Sequence, residues 1–376
     1  MKKDVASKDL TCTKVSDEEI KKGDVLISIK DLQFDFMLRG QTLHALRGIS
    51  LDIHKGESLA IVGESGSGKS VFVSNLMGLN AQNGHVTGGS IMYRGVDLTK
   101  LQTESEWREI RGRKIAMIMQ DPMTSLNPLK TIGYQISEAV ELHRGLHGEE
   151  AKKEVYKLLE DVGISEPERR YKQYPYEFSG GMRQRVVIAI ALACKPEILV
   201  CDEPTTALDV TIQAQILGIL KKLQSKYDLT SIYITHDLGV VADVADRVAV
   251  MYAGDIVEVG DVNEVFYDPC HPYTWALLSS LPQLGVKGEP LCAIEGTPPN
   301  LFHEVHGDAF APRNPHPLKI DFVKRPPMFE VTKTHYARTW LLDKRAPKVE
   351  KPEHIVRLSQ RYTDVLAANA EGREML

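Results

Sequence analysis

Gly63-Glu64-Ser65-Gly66-Ser67-Gly68-Lys69-Ser70 stands between the apolar run Ser58-Leu59-Ala60-Ile61-Val62 and the stretch Val71-Phe72-Val73-Ser74-Asn75-Leu76-Met77. The first flank reads as a buried strand, the second as the opening of a helix. In that strand–turn–helix setting, G-x-x-x-x-G-K-[ST] is a cradle for nucleotide phosphates. Its glycines let backbone N–H groups converge on an anion without Cβ clashes, and the helix N-terminus adds partial positive charge. Lys69 has the reach for the β- and γ-phosphates, and the Ser70 hydroxyl suits Mg²⁺. The alternative is a glycine-rich loop that only turns the chain. Either way, the cradle leaves open what the nucleotide is used for.

The chain has 376 residues, 43% of them hydrophobic, enough for one large core with an appendage or for two domains. A net charge of −5 gives no electrostatic case for nucleic acid as a partner. Cys12, Cys194, Cys201, Cys270 and Cys292 are scattered without C-x-x-C spacing, which suits free thiols in a reducing compartment. Residues 1–23 are polar, lack the apolar centre of a secretory signal, and are expected to form a flexible leader. The longest apolar stretch, Val186 to Cys194, is too short to span a bilayer, so a membrane role must come through a partner.

Val25 to Ile29 and Leu32 to Phe36 alternate as two strands, and a third is expected over His44–Ile53 before the turn at Lys55-Gly56-Glu57. Gly88–Tyr93 and Lys114–Met119 read as further strands. From Thr131 to Tyr176 the spacing turns helical with charged faces, for example Val155, Leu158 and Leu159 on one side. Then helix Met182–Ala193, strand Ile198–Cys201, helix Ile212–Lys222 and strand Ser231–Thr235 alternate, which argues for a parallel sheet covered by helices. After Cys270 the chain is rich in proline, histidine and isolated aromatics. Ile355, Leu358, Tyr362, Val365 and Leu366 then predict a closing amphipathic helix.

Two more stretches carry chemistry. Ile198-Leu199-Val200-Cys201 is a central strand, and Asp202 at its end is placed to hold Mg²⁺ through water, with Glu203 beside it to orient or deprotonate an attacking water. Phe178-Ser179-Gly180-Gly181-Met182-Arg183-Gln184-Arg185 opens a long helix with a second anion-ready turn. Ser179 could equally be a plain N-cap. Because one cradle serves one nucleotide, a second turn makes sense for a nucleotide held by another copy or partner. Arg183 and Arg185 are expected in surface ion pairs.

Taken in order, these motifs resemble the nucleotide-binding subunit of an ATP-binding-cassette transporter. Gly63 to Ser70 matches the Walker A loop, Gln120 the Q-loop glutamine, and Ser179-Gly180-Gly181-Met182 the signature turn. Phe178 and Met182 replace the commonest Leu and Gln there, which keeps the backbone cradle. Asp202 and Glu203 match Walker B, Ala207-Leu208-Asp209 the D-loop, and His236 the switch histidine. Phe36 falls where the family stacks an aromatic on adenine, although it also reads as a core strand residue. The resemblance implies an α/β fold: a P-loop NTPase core with parallel sheet, an antiparallel β subdomain, a helical insert near 131–177 within a cassette over 24–270, and an extension over 271–376. It implies ATP and Mg²⁺ as cofactors, with Ser70, Gln120 and Asp202 as metal ligands and Glu203, His236, Gln120 and Lys69 as catalytic groups.

Met117 to Pro128, His271-Pro272-Tyr273-Thr274-Trp275-Ala276-Leu277-Leu278 and Gly296-Thr297-Pro298-Pro299-Asn300 are similar to the oligopeptide/dipeptide permease ATPases. That likeness implies a homologous, non-identical second ATP-binding subunit, two integral membrane permease subunits and an extracellular or periplasmic solute-binding protein. It places the chain at the cytoplasmic face of the membrane. Nickel or another small solute remains open as cargo. A soluble cassette ATPase is disfavoured by the lack of a tandem cassette or long coiled coil, and a switch GTPase by the lack of Asn-Lys-x-Asp. Many relatives carry a Cys-x-Phe-x-x-Arg-Cys-like run that can hold an iron–sulfur cluster. Here Asp308 and Asn314 stand in the cysteine places, so no cluster is expected. His271, His303, His306 and His316 fit no compact metal-ligand spacing.

Overall fold

A computed structural model describes residues 20–206, 208–280 and 294–370, with side chains to residue 363. The leader to residue 19, Cys12, Ala207, Cys292 and the side chains of Val365 and Leu366 lie outside what it describes. The strands are β1 (Val25–Leu38), β2 (Gln41–His54), β3 (Ser58–Val62), β4 (Gly84–Tyr93), β5 (Val96–Asp97), β6 (Ile115–Ile118), β7 (Ile198–Asp202), β8 (Thr230–Thr235), β9 (Arg247–Tyr252), β10 (Asp255–Asp261), β11 (Phe329–Glu330) and β12 (Tyr336–Ala337). The helices are α1 (Lys69–Met77), α2 (Glu104–Ile110), α3 (Pro122–Ser125), α4 (Ile132–Arg144), α5 (Gly148–Asp161), α6 (Pro167–Arg170), α7 (Gly180–Ala193), α8 (Val210–Tyr227), α9 (Leu238–Val244), α10 (Val262–Tyr267), α11 (Pro272–Ser279) and α12 (Glu353–Ala370).

The strands form two sheets. One is antiparallel, in the order β2-β1-β4-β5; the other runs β11-β12-β10-β9-β3-β8-β7-β6 and is parallel from β9 to β6. The expected strands at Val25 and Leu32 are one continuous strand with an irregularity between Ile29 and Leu32, where Asp31 takes a φ of 47°. β3 lies inside the parallel region, paired with β8 on one side and β9 on the other. Its five residues are all buried, as are all six of β8.

Successive side chains on a strand face opposite ways, and the burial follows that rule. Leu59 and Ile61, Ile198 and Val200, and Ile232 and Ile234 join the core shared with the antiparallel sheet and α1. Ala60 and Val62, Leu199 and Cys201, and Tyr233 join the core beneath α4, α5, α7, α8 and α9. Each large apolar side chain so enclosed contributes about 1.5–3 kcal/mol, so the parallel strands read as unbroken apolar runs.

Described parts of the stretch after residue 270 pack onto the sheets. Tyr273, Trp275 and Phe310 lie in the same core as β9, and the β11–β12 hairpin pairs with β10 through Glu258↔Ala337 and Val259↔Tyr336.

Candidate functional site

Parallel strands place all their carboxyl ends on one edge of the sheet, where ligands of open α/β sheets gather. The loop of residues 63–68 follows β3, Gln120 follows β6, Asp202 ends β7 with Glu203 just after it, and His236 follows β8. The pairings Ile118↔Cys201, Asp202↔Ile234 and Val62↔Thr235 align those ends. Residues far apart in sequence therefore meet at one cavity of about 600 Å³, lined by Lys69, Ser70, Gln120, Asp202, Glu203 and His236.

The loop is tightly packed from behind. A Cβ at Gly63 would stand 2.1 Å from the Met251 carbonyl oxygen, so only glycine lets β3 turn there. Gly68 caps α1 without a side-chain hydrogen bond, which leaves the first-turn N–H groups available to an anion. Lys69 Nζ donates to the carbonyls of Gly63 at 2.7 Å and Glu64 at 2.9 Å. Burial pushes its ammonium below the ordinary lysine value, with Glu203, Asp202 and Glu64 pulling the other way.

Glu203 is the hub of the cavity. Its Oε2 accepts from Gln120 Nε2 at 2.9 Å and from the Thr206 hydroxyl at 3.0 Å, and its Oε1 lies 2.9 Å from His236 Nδ1. Burial raises the Glu203 pKa, but the bonds from His236 and Thr206 and the charges of His236 and Lys69 outweigh it, so the carboxyl sits below its ordinary range. The Glu203 backbone has a φ of +45°, a conformation that costs about 1–3 kcal/mol for a non-glycine residue and clusters at functional sites. The next carboxylate behaves oppositely: burial, then the charge of Glu203, raises Asp202, against the pull of Lys69.

Asp202, the Ser70 hydroxyl and the free amide oxygen of Gln120 offer only hard oxygen donors, and no protein hydrogen bond engages the Asp202 carboxylate among the described residues. That donor set fits a small divalent cation such as Mg²⁺. Phe36 is half-buried on the cavity wall, edge-on to Phe34 at 5.1 Å.

The signature turn is elsewhere. Ser179 and Gly180 are exposed, and none of residues 179–182 lines this cavity. The Ser179 hydroxyl caps α7 by accepting from the Met182 N–H at 3.4 Å. A Cβ on Gly181 would stand 2.6 Å from Ile212 Cγ2, so glycine is what lets α7 start against α8. Asp209 caps α8, accepting from the Ile212 N–H at 2.9 Å. Among the described residues, Arg183 and Arg185 bond to neutral acceptors and pair with no carboxylate. Arg183 Nε donates to the Pro175 carbonyl, and Arg185 to Gly163 O and Gln215 Oε1, because both side chains reach helix and turn ends that leave acceptors open.

Sequence reasoning missed the contribution of residues 294–313. Pro299, Asn300, Leu301 and Phe302 line the same cavity as Phe36. Arg313, 249 positions from Glu64, holds its carboxylate bidentately at 2.6 and 3.0 Å, and the Tyr273 hydroxyl accepts from the Glu64 N–H at 2.8 Å. Only the Gly296-Thr297-Pro298-Pro299-Asn300 motif signalled this segment in the sequence.

Asp308 and Asn314 serve as turn residues: their Oδ1 atoms accept from the Phe310 and His316 N–H groups, each at 2.9 Å. His271 is fully buried, whereas His303, His306 and His316 are exposed. Among the described residues the ligand atoms of Glu258, Cys270 and His335 cluster, and Glu258 is already bonded to the other two. Glu258 accepts from the Cys270 N–H at 2.6 Å and lies 2.7 Å from His335 Nε2, tying the hairpin to β10.

Fold and cavity together define a nucleotide-binding cassette, and the comparisons carry this to a family. The ABC transporter profile matches residues 46–206, and the profile of the oligopeptide/dipeptide transporter C-terminal region matches residues 257–320. The chain is 56% identical to the oligopeptide transport ATP-binding protein AmiE of Streptococcus pneumoniae over 92% of this chain and 97% of that one. It is 57% identical to OppD of Bacillus subtilis (88% and 92% covered) and 51% identical to the dipeptide transport protein DppD of Lactococcus lactis (90% and 97%). A solved dimer of the ATP-binding cassette MJ0796 bound to ADP and Pi superposes with a TM-score of 0.56 at 29% identity, covering 63% of this chain and 98% of that one. The chain belongs to the ABC transporter ATP-binding subunits, among the oligopeptide/dipeptide transport ATP-binding proteins. Among the described residues no helix is long and apolar enough to cross a membrane.

Proposed function

We propose that the chain is the ATP-hydrolysing subunit of a peptide importer, attached to the cytoplasmic face of the membrane through two permease subunits. The observation that carries this is the convergence of Lys69, Gln120, Asp202, Glu203 and His236 on one cavity that Phe36 also lines. The first-turn N–H groups of α1 and Lys69 would hold the β- and γ-phosphates, with adenine on Phe36. Ser70, Asp202 (through water) and Gln120 would hold Mg²⁺, which when bound supplies positive charge to the phosphates.

Glu203 orients or deprotonates the attacking water, held in place by Thr206 and His236. His236 also follows the γ-phosphate and registers its loss. Gln120 donates to Glu203 directly, so its side chain joins the metal site to the base. The exposed Ser179-Gly180-Gly181 turn lies outside its own chain's cavity, which supports a composite site: each signature turn faces ATP on a homologous, non-identical partner cassette. Closure over two ATP molecules, and opening after hydrolysis, would move the 131–177 helices against the permease subunits and so alternate their access. A solute-binding protein would deliver the peptide from outside.

The test is uptake of a labelled pentapeptide, a labelled dipeptide and radioactive nickel by cells carrying wild-type or Lys69→Ala protein. Loss of peptide uptake is expected. Unchanged peptide uptake with loss of nickel uptake alone would overturn the assignment of cargo.

A further inference from the structure

We infer that the C-terminal extension is part of the ATP site itself: residues 299–302 close its base end, and Arg313 is a positioning residue that fixes the phosphate loop. The inference rests on the reading of the 600 Å³ cavity as the ATP site.

At the phosphate end, Glu64 is held at three points. Its carboxylate is gripped by Arg313, its N–H by the Tyr273 hydroxyl, and its carbonyl accepts from Lys69 Nζ at 2.9 Å. Two of the three restraints come from the extension. Arg313 is rigid in turn: its side chain is 4% exposed, and its five N–H groups are taken up by Glu64, the Tyr252 hydroxyl and the carbonyls of Ile294 and Glu295. A planar guanidinium with every donor engaged passes little slack to its partner. Glu64 O, together with Gly63 O, thus sets where the Lys69 ammonium rests, and the extension helps to fix Glu64.

At the base end, the same segment leaves Arg313 at Ile294 and Glu295, passes Gly296, and runs on to the cavity wall. There the His44 N–H of β2 donates to the Leu301 carbonyl at 2.9 Å, and the Phe302 N–H to Asn300 Oδ1 at 3.0 Å. Phe302, 37% exposed, is thereby presented to a cavity whose other aromatic is Phe36. Two aromatic groups on one cavity suit a planar heterocycle, and a phosphate chain gains nothing from them.

The two ends make separable predictions, read by calorimetric titration of the full-length chain with ATP and with inorganic tripolyphosphate, both with Mg²⁺. Phe302→Ala should weaken ATP about three- to tenfold and leave tripolyphosphate within about twofold, since only the base is lost. Arg313→Met should weaken both ligands about tenfold, with Arg313→Lys recovering part of it. Glu64→Gln, which keeps the shape and removes the charge, guards against a misfolded arginine variant. It should reproduce the effect, and the double variant should be no worse than either single one. Lys69→Met tests the underlying reading: undiminished ATP binding there would overturn the cavity as the ATP site, and this inference with it. If Lys69→Met abolishes binding while Phe302→Ala, Arg313→Met and Glu64→Gln bind both ligands like the wild type, the extension plays no part in the site and the inference is overturned alone.

Discussion

His236 Nδ1 lies 2.9 Å from Oε1 of Glu203, so the residues that follow β7 and β8 act as one hydrogen-bonded unit. Replacing Glu203 by Gln keeps the side chain's shape and removes its charge. ATP turnover in the assembled transporter should fall by about 10²–10⁴-fold, with ATP affinity retained. Turnover within a few-fold of wild type would show that Glu203 does not serve as the base.

The Ser179 hydroxyl caps α7, and that local duty can be separated from a role toward a partner's ATP. Ser179→Ala should cost about 1 kcal/mol in thermal or urea unfolding. Ser179→Asp preserves the cap but sets a negative charge where a neighbouring γ-phosphate would lie. It should unfold like the wild type and yet lose ATPase activity. Full activity in Ser179→Asp would reduce the turn to a helix cap.

The buried contact between Glu258 and His335 fastens the β11–β12 hairpin to β10. His335→Leu removes a donor from a carboxylate with no access to solvent. A loss of about 3 kcal/mol in unfolding free energy is expected, with faster proteolysis in the hairpin. A melting temperature unchanged within about 1 °C would show the contact to be energetically idle.

His271 is fully buried, and burial is the main influence holding its pKa below the ordinary histidine value, against the pull of Asp308, Glu258 and Asp255. The unfolded chain takes up a proton near pH 6.5 that the folded chain refuses, so stability falls as pH drops below about 6.5. The contribution is limited to about 1.4 kcal/mol per pH unit. In His271→Asn the amide oxygen can still cap α11 by accepting from the Tyr273 N–H, as His271 Nδ1 does now at 3.0 Å. The variant should show a shallower loss of stability between pH 6.5 and 5. Parallel curves would assign the acid sensitivity elsewhere.

What was legible in the sequence is what local physics dictates. β3, β7 and β8 are short apolar runs ending in residues of pronounced chemistry, and the edge they share follows from their being parallel. Asp202 and Glu203 are therefore legible from the strand that ends beside them, whereas Gln120 and His236 are named by the family resemblance. Less legible was whatever depends on a distant partner. β9 and β10 have no motif at their ends, and β11 and β12 are two residues each, strands only because β12 finds an edge on β10 and β11 pairs with β12. Arg313 looked like any arginine in a proline-rich stretch, since its role depends on a carboxylate 249 positions away. Asp31 splits the appearance of β1 because a bulge resets the alternation there, making one strand look like two.

The hairpin that lengthens the sheet also governs how the protein fares when its chain is cut short. Ile256, Val257 and Val259 are the buried apolar residues of β10, and β12 bonds to one side of it at Glu258 and Val259. A chain ending near residue 325, generous by the measure of a minimal cassette, would bare that strand's backbone donors and acceptors. Such an edge is a template for pairing with another copy, so the shortened protein would be expected to aggregate during expression. Shortened forms made for crystallisation or reconstitution should therefore extend past Trp340, which packs beside Phe329 at the foot of the hairpin.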